Sequence, residues 1–260
     1  MIRLILTMVV FGTLLVPGSA TAGEVSTLTR VLQSGELRVG TTGDWNPMSM
    51  RDPTTNSYKG FDIDVVTELA KDLGVAVVFV STEWKTLVSG MVAGKYDIST
   101  SASVTPSRIR TVGFSRSYYQ VGTVPMVLKK NLSRFSSWND VDQPNVRVAV
   151  TMGTSFEQQV KQFFPNATIK AVEAPARDYQ EVLSGRADVS ITSNLEASKL
   201  TRNYEQLAVV PVMQPRSPAD LAFITPQTDQ VWINYLNHWI TIKINRGFFQ
   251  GLQEKWMPVN

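Results

Sequence analysis

Gly94-Lys95-Tyr96-Asp97-Ile98 closes one helical pattern and opens a β-rich run, and Gly185-Arg186-Ala187-Asp188-Val189 repeats that arrangement later in the chain. In each, a glycine suited to ending a helix is followed by a basic residue, a small or aromatic residue, an aspartate and a strand. The repetition points to two lobes of similar construction. Upstream of the first copy, Leu37-Arg38-Val39-Gly40 reads as a strand. Ile63, Val66, Ala70 and Leu73 then recur at helical spacing, with Gly74 as the stop. Val75 to Val80 is a second strand, and Trp84, Leu87 and Met91 line one helical face. Tyr96 to Thr100 and Val112 to Ser115 supply a third and a fourth strand.

The second set begins near Val124. Val146 to Val150 reads as a strand, Ser155 to Phe164 as a helix and Thr168 to Val172 as a strand. Tyr179 to Leu183 reads as helix, Ala187 to Thr192 as strand, and Leu221 to Thr225 as extended. Trp232, Leu236, Trp239 and Lys243 then fall on one stripe of a long helix. Short β-rich runs alternating with helices predict an α/β protein whose sheets are mixed but mostly parallel.

Composition removes whole classes of chemistry. The 260 residues include no cysteine and a single histidine, His238. Disulfide scaffolds, thiol nucleophiles and thiolate metal sites are thereby excluded, as is a multi-histidine metal centre. Lys plus Arg is 25 against 22 for Asp plus Glu. That balance is too even for a nucleic-acid footprint. Arg3, the apolar run from Leu4 to Val16 and the small-residue end Pro17-Gly18-Ser19-Ala20-Thr21-Ala22 form a secretory signal peptide over 1–22, with cleavage expected after Ala22. An exported, periplasmic chain follows. No later segment reaches the ~20 apolar residues of a spanning helix, so no membrane insertion is expected after cleavage.

In order along the chain, Leu37-Arg38-Val39-Gly40-Thr41, Gly60-Phe61-Asp62-Ile63-Asp64, Gly94-Lys95-Tyr96-Asp97, Thr105-Pro106-Ser107-Arg108, Phe114-Ser115 and Gly153-Thr154-Ser155 resemble the family 3 extracellular solute-binding proteins. The resemblance implies a two-lobed, type II periplasmic-binding fold with lobe one discontinuous. Lobe one would comprise 23–120 plus 224–260 and lobe two 121–223, crossing near Tyr119–Thr123 and Asp220–Thr225. Within that superfamily, Thr41-Thr42-Gly43-Asp44-Trp45-Asn46-Pro47, Asp142-Gln143-Pro144 and Leu195-Glu196-Ala197 look most like the cyclohexadienyl dehydratases. Those enzymes decarboxylate and dehydrate prephenate or arogenate to an aromatic product. The resemblance implies a catalytic acid directly after a Gly-Thr-Asn element of lobe two, which corresponds here to Gly153-Thr154-Ser155. Here Phe156 holds that place and Glu157 stands one residue later. One residue turns a helical side chain by about 100°, so Glu157 is expected to point elsewhere.

The same resemblance nominates the binding residues. Arg108 ends a Thr-x-x-Arg element whose guanidinium would grip a ligand carboxylate, as arginine can do bidentately. The alternative is a surface ion pair beside Arg110 and Arg116. Ser101, Ser103 and Thr105 offer hydroxyls to the cleft, or form an ordinary polar loop. Gly153-Thr154-Ser155 would present helix N–H groups to an anion, or serve as a simple N-cap. Trp45 and Trp84 follow predicted strands, where open α/β sheets place ligands, and either could stack on a ring or pack in the core. Asp44 would shape the cleft mouth; Tyr118 and Tyr119 would pack the crossing strands. Ser193 stands where amino-acid binders present an aspartate to the ligand's ammonium. Its lack of charge disfavours an α-amino acid unless Glu196 or Glu157 takes over. His238 is read as a structural or surface residue. Acidic residues show no metal-ligand spacing, and neither a metal nor a cofactor is expected.

The expected function is a monomeric periplasmic receptor that closes on a small carboxylate and delivers it to an ABC permease. The alternative is a cofactor-free lyase of cyclohexadienyl dehydratase type, with Glu157 or Glu196 as general acid. A third class is an accessory protein that presents its ligand to a membrane receptor.

Overall fold

The computed structural model describes residues 25–258; the predicted signal peptide at 1–22 lies outside the described residues. The strands are β1 (Glu36–Thr41), β2 (Asp44–Trp45), β3 (Ser49–Arg51), β4 (Tyr58–Lys59), β5 (Ala76–Ser81), β6 (Ile98–Ser103), β7 (Gly113–Phe114), β8 (Tyr119–Leu128), β9 (Arg147–Thr151), β10 (Thr168–Val172), β11 (Val189–Ser193), β12 (Leu207–Val209) and β13 (Arg216–Thr225). The helices are α1 (Thr27–Ser34), α2 (Phe61–Leu73), α3 (Leu87–Val92), α4 (Pro106–Ile109), α5 (Trp138–Val141), α6 (Ser155–Phe163), α7 (Asp178–Leu183), α8 (Asn194–Asn203), α9 (Gln230–Asn245) and α10 (Phe248–Trp256).

One mixed sheet runs β10-β9-β11-β8-β13-β6-β1-β5, with β12 beside β8 and β7 beside β13. The pairs β1–β5, β1–β6, β9–β10 and β9–β11 are parallel. At the centre β8 and β13 pair antiparallel over Tyr119–Thr123 and Arg216–Leu221. Beyond that overlap, β8 continues beside β11 and β13 beside β6.

The two Gly-basic-x-Asp segments do the same work in each half. Asp97 accepts hydrogen bonds from the Arg38 backbone N–H at 2.8 Å and from its guanidinium, while Arg38 also donates to the Gly94 carbonyl at 3.0 Å. Asp188 likewise accepts from the Arg147 N–H at 3.0 Å and its Nε at 2.9 Å, and Arg147 donates to the Gly185 carbonyl at 3.0 Å. Gly94 and Gly185 take φ of 65° and 71°, which glycine adopts without a steric cost. Each aspartate thus fastens the start of one strand to the turn before the next. Because these carboxylates take the first ladder donors, β6 and β11 begin at Ile98 and Val189 and not at Tyr96 and Ala187.

The apolar cores follow the same division. Val39, Phe61, Val66, Leu69, Trp232, Leu236 and Phe249 belong to one cluster; Val127, Val148, Val150, Val160 and Ile191 belong to another. The predicted stripe of α9 is buried at Trp232, Leu236, Trp239 and Lys243, the last held by Glu68 and Asp72. The small β2-β3-β4 sheet carries little period-2 signal, being two and three residues per strand, and the sequence pattern did not anticipate it. His238 is exposed on α9.

Candidate binding cleft

A narrow, largely closed cleft lies where the ends of β6, β9 and β11 face one another. From the first half it is lined by Trp45, Trp84, Ser101, Ser103 and Arg108. α4 positions Arg108: Pro106 supplies the preset first turn, and the Thr105 hydroxyl caps the Arg108 N–H at 3.3 Å. The guanidinium is buried, 8% exposed, and donates to the backbone carbonyls of Ser103 (3.0 Å) and Gly153 (3.2 Å). Among the described residues no carboxylate pairs with it. Burial lowers its pKa to about 10, so it remains a cation at neutral pH.

Ser101 sits at φ 45°, a left-handed conformation that a non-glycine residue adopts only under local constraint. The constraint lies beneath it: its N–H donates to the Tyr118 hydroxyl at 2.7 Å and its Oγ to Asp62 at 2.7 Å. Asp62 is buried, and desolvation pushes its carboxyl up to about 7 against the opposing hydrogen bonds of Ser101, Thr100 and Tyr118. Trp45 and Trp84 meet edge to face with centroids 5.7 Å apart, and Trp84 donates to Asp44 at 3.0 Å.

The second half contributes Thr151, Thr154, Ser155 and Phe156 from one loop and helix start, and Ile191 and Thr192 from β11. Ser155 reaches the Ser103 hydroxyl at 3.1 Å. Thr154 does not cap α6; its hydroxyl donates to the Thr151 carbonyl at 2.7 Å.

Three further residues form a buried charge centre, and the sequence reading missed two of them, Arg177 and Asp178. Arg177 is 6% exposed and pairs with Glu196 at 2.8 Å and Asp44 at 3.0 Å, with Asp178 at 3.9 Å. It also donates to the Asp44 carbonyl and, at 3.3 Å, to Thr151. Burial would lower its pKa, but Glu196, Asp44 and Asp178 outweigh it and hold the guanidinium above its ordinary value. Glu196 is driven the other way: burial first, then Asp178 and Asp44, push it up to about 7 against the pull of Arg177 and the Thr192 hydroxyl. The one available signal for Arg177 was its place just after β10, at the carboxyl end of a parallel strand, where this architecture puts ligands.

Four nominated residues stand outside the lining. Thr105 is spent on capping α4. Gly153 takes part through its carbonyl alone, its N–H being held by Glu157 at 2.9 Å. Glu157 turns to that N–H and to Lys161 at 3.0 Å, and the Gly153 hydrogen bond keeps its carboxyl below the usual range. Phe156 fills the cleft position beside it, as the one-residue offset requires. Ser193 is fully buried and caps α8, accepting the Glu196 N–H at 3.0 Å.

The sequence matches one family model over residues 37–259. The chain belongs to the bacterial extracellular solute-binding proteins, family 3. Its fold is the type II periplasmic-binding fold. It is 33% identical to a cyclohexadienyl dehydratase of Pseudomonas aeruginosa over 94% of this chain and 90% of that protein. It is 25% identical to an L-cystine-binding protein of Escherichia coli over 88% and 85% of the two chains. A crystal structure of an ancestral amino acid-binding protein, a precursor of cyclohexadienyl dehydratase, superposes with a TM-score of 0.83 at 37% identity, covering 89% of this chain and 99% of that one. Among the described residues no helix is long and apolar enough to cross a membrane.

Proposed function

We propose that this protein is a monomeric periplasmic receptor that closes its lobes, 23–120 plus 224–260 and 121–223, around a small carboxylate for delivery to an ABC permease. The observation that carries this reading is Arg108, a buried guanidinium aimed at the cleft without a counter-carboxylate. A buried unpaired cation is costly, and a ligand anion would relieve that cost. A relative in Haemophilus influenzae described as a probable amino-acid ABC transporter-binding protein, 24% identical over 90% of this chain, supports the transport context. Signal-peptide export places the mature chain in the periplasm. In a thermal-shift screen of small carboxylates, at least one compound is expected to raise the wild-type melting temperature, and Arg108→Ala should abolish that rise while still folding. A folded variant that keeps the full shift removes Arg108 from the site.

Glu196 favours a second reading, a cofactor-free lyase on the same scaffold. Glu196 lines the cleft, and burial raises its carboxyl above the ordinary range, the direction a general acid needs; the Pseudomonas aeruginosa relative is a dehydratase. With prephenate bound, Arg108 would hold one carboxylate and Glu196 would protonate the ring hydroxyl as it leaves as water. The ring carboxylate would depart as carbon dioxide, its bonding electrons completing the aromatic ring. On this reading, prephenate is converted to phenylpyruvate, seen by its absorbance, and Glu196→Gln cuts turnover by about 100-fold or more while the thermal shift persists. Binding of prephenate without product rules out the lyase and leaves the receptor.

A further inference from the structure

Three hydroxyls of the cleft lining each bond a buried acid: Thr192 bonds Glu196, Thr151 bonds Asp178 and Ser101 bonds Asp62. Glu196 and Asp178 also pair with Arg177. Asp62 is 1% exposed, and among the described residues no cation pairs with it. Its Oδ1 accepts from the Ser101 hydroxyl at 2.7 Å and from the Tyr118 hydroxyl at 3.4 Å. Charges on and around α2 are engaged elsewhere: Asp64 with Lys255 of α10, Glu68 and Asp72 with Lys243 of α9, and Arg38 of β1 with Asp97. Arg51, Lys59 and Lys71 are exposed. Tyr118, which faces Asp62, is kept neutral by burial, and Arg108 lines the cleft with Ser101. Ser101 has already given its N–H to Tyr118, so its hydroxyl hydrogen is the one donor it has left. While that hydrogen rests on Asp62, Ser101 offers the cleft oxygen lone pairs only, and these repel a carboxylate.

We infer that Asp62 is a positioning residue for the ligand: it takes up one proton as a carboxylate enters, and so turns the Ser101 hydroxyl from acceptor to donor. This deepens the carboxylate reading and rests on it. A proton on Oδ1 reverses the 2.7 Å bond: the acid donates, Ser101 accepts, and the Ser101 hydrogen is released toward a carboxylate held by Arg108. The proton comes from solvent through Ser101, whose oxygen takes one from cleft water as its own hydrogen passes to Asp62. A ligand anion one hydroxyl away also disfavours a second negative charge at this depth, where little water screens the pair. Asp62 titrates at about 7, so its ionised form is present at neutral pH to receive the proton. Because binding favours the protonated acid, affinity is flat well below pH 7. Above it, affinity falls by up to about tenfold per pH unit, the limit for one proton per ligand.

Isothermal titration in buffers of different ionisation enthalpy counts the protons. The probes are phenylpyruvate, 2-oxoglutarate, L-glutamine and L-arginine, none of which titrates between about pH 5 and 8. Each probe that binds the mature wild-type protein is expected to bring in between about half and one proton at pH 8, and almost none at pH 5. Binding without proton uptake at pH 8 overturns the inference and leaves the carboxylate reading standing. If no probe binds, and no compound of the wider carboxylate screen does, the carboxylate reading falls and the inference with it. Asp62→Asn should bind with no uptake and with an affinity indifferent to pH, whereas Glu196→Gln, which removes the other acid titrating at about 7, should keep the uptake. Uptake that survives in Asp62→Asn and disappears in Glu196→Gln overturns the role of Asp62. Ser101→Gly keeps the left-handed backbone, which glycine adopts freely, and should lose at least fivefold in affinity along with most of the uptake. Full uptake in folded Ser101→Gly overturns the part given to the hydroxyl, even if Asp62→Asn does not fold.

Discussion

Asp62 gives the cleft floor its rigidity and also a pH dependence. Its carboxyl holds Ser101 in a left-handed turn through a 2.7 Å hydrogen bond, and it titrates near 7 in the fold against 3.8 for an ordinary aspartate. Folding therefore favours the protonated form. That contribution is complete below about pH 4 and is lost as the pH rises through about 7, amounting to ~4 kcal/mol at most. Asp62→Asn keeps a neutral acceptor in place, so wild-type stability should fall relative to the variant between about pH 4 and 7 in parallel melting curves. Glu196 titrates in the same window, but it is present in both proteins and cancels. Parallel pH profiles would remove Asp62 as the source. Among single residues, Arg108 was nominated by the resemblance of its Thr-x-x-Arg element to the family, and the fold puts it in the cleft lining. Arg177 was not. An arginine in Pro175-Ala176-Arg177-Asp178 looks like many surface arginines until Asp44 and Glu196 arrive beside it.

At the scale of elements, the start of α6 decides whether the two halves can meet. Gly153 adopts φ 80°, and a Cβ built there would lie 2.4 Å from the Lys85 backbone nitrogen and 2.5 Å from its Cα. Backbone cannot yield as a side-chain tip can, so Gly153→Ala should prop the cleft open. The variant is expected to melt within a few degrees of wild type, lose ligand affinity at least tenfold, and fail to show the ligand-induced compaction that small-angle scattering should detect in wild type. Wild-type affinity in Gly153→Ala would show that this contact is dispensable. The helices and longer strands were readable from periodicity and from their glycine stops. The β2-β3-β4 ribbon was not, because two- and three-residue strands offer no period to detect. The cap of α6 was also misread: Thr154 and Ser155 have capping side chains, but Thr151 and Ser103 compete for them.

Over the whole molecule, contacts across the cleft hold the closed arrangement: Asp44 with Arg177, Lys85 with Glu173 at 2.5 Å, and Ser107 with Gln158 at 3.1 Å. Each partner stands far from the other in the chain. The sequence alone determined the α/β alternation, the paired Gly-basic-x-Asp turns and the Thr-x-x-Arg element, since these signals act within a few residues of one another. Only the tertiary structure decided that Glu196 faces the cleft, and that Arg177 claims three acids while Arg108 claims none. Charge pairing and burial depend on distances between segments separated by as many as 191 residues, as for Asp64 and Lys255, and a pattern read along the chain carries no such distance.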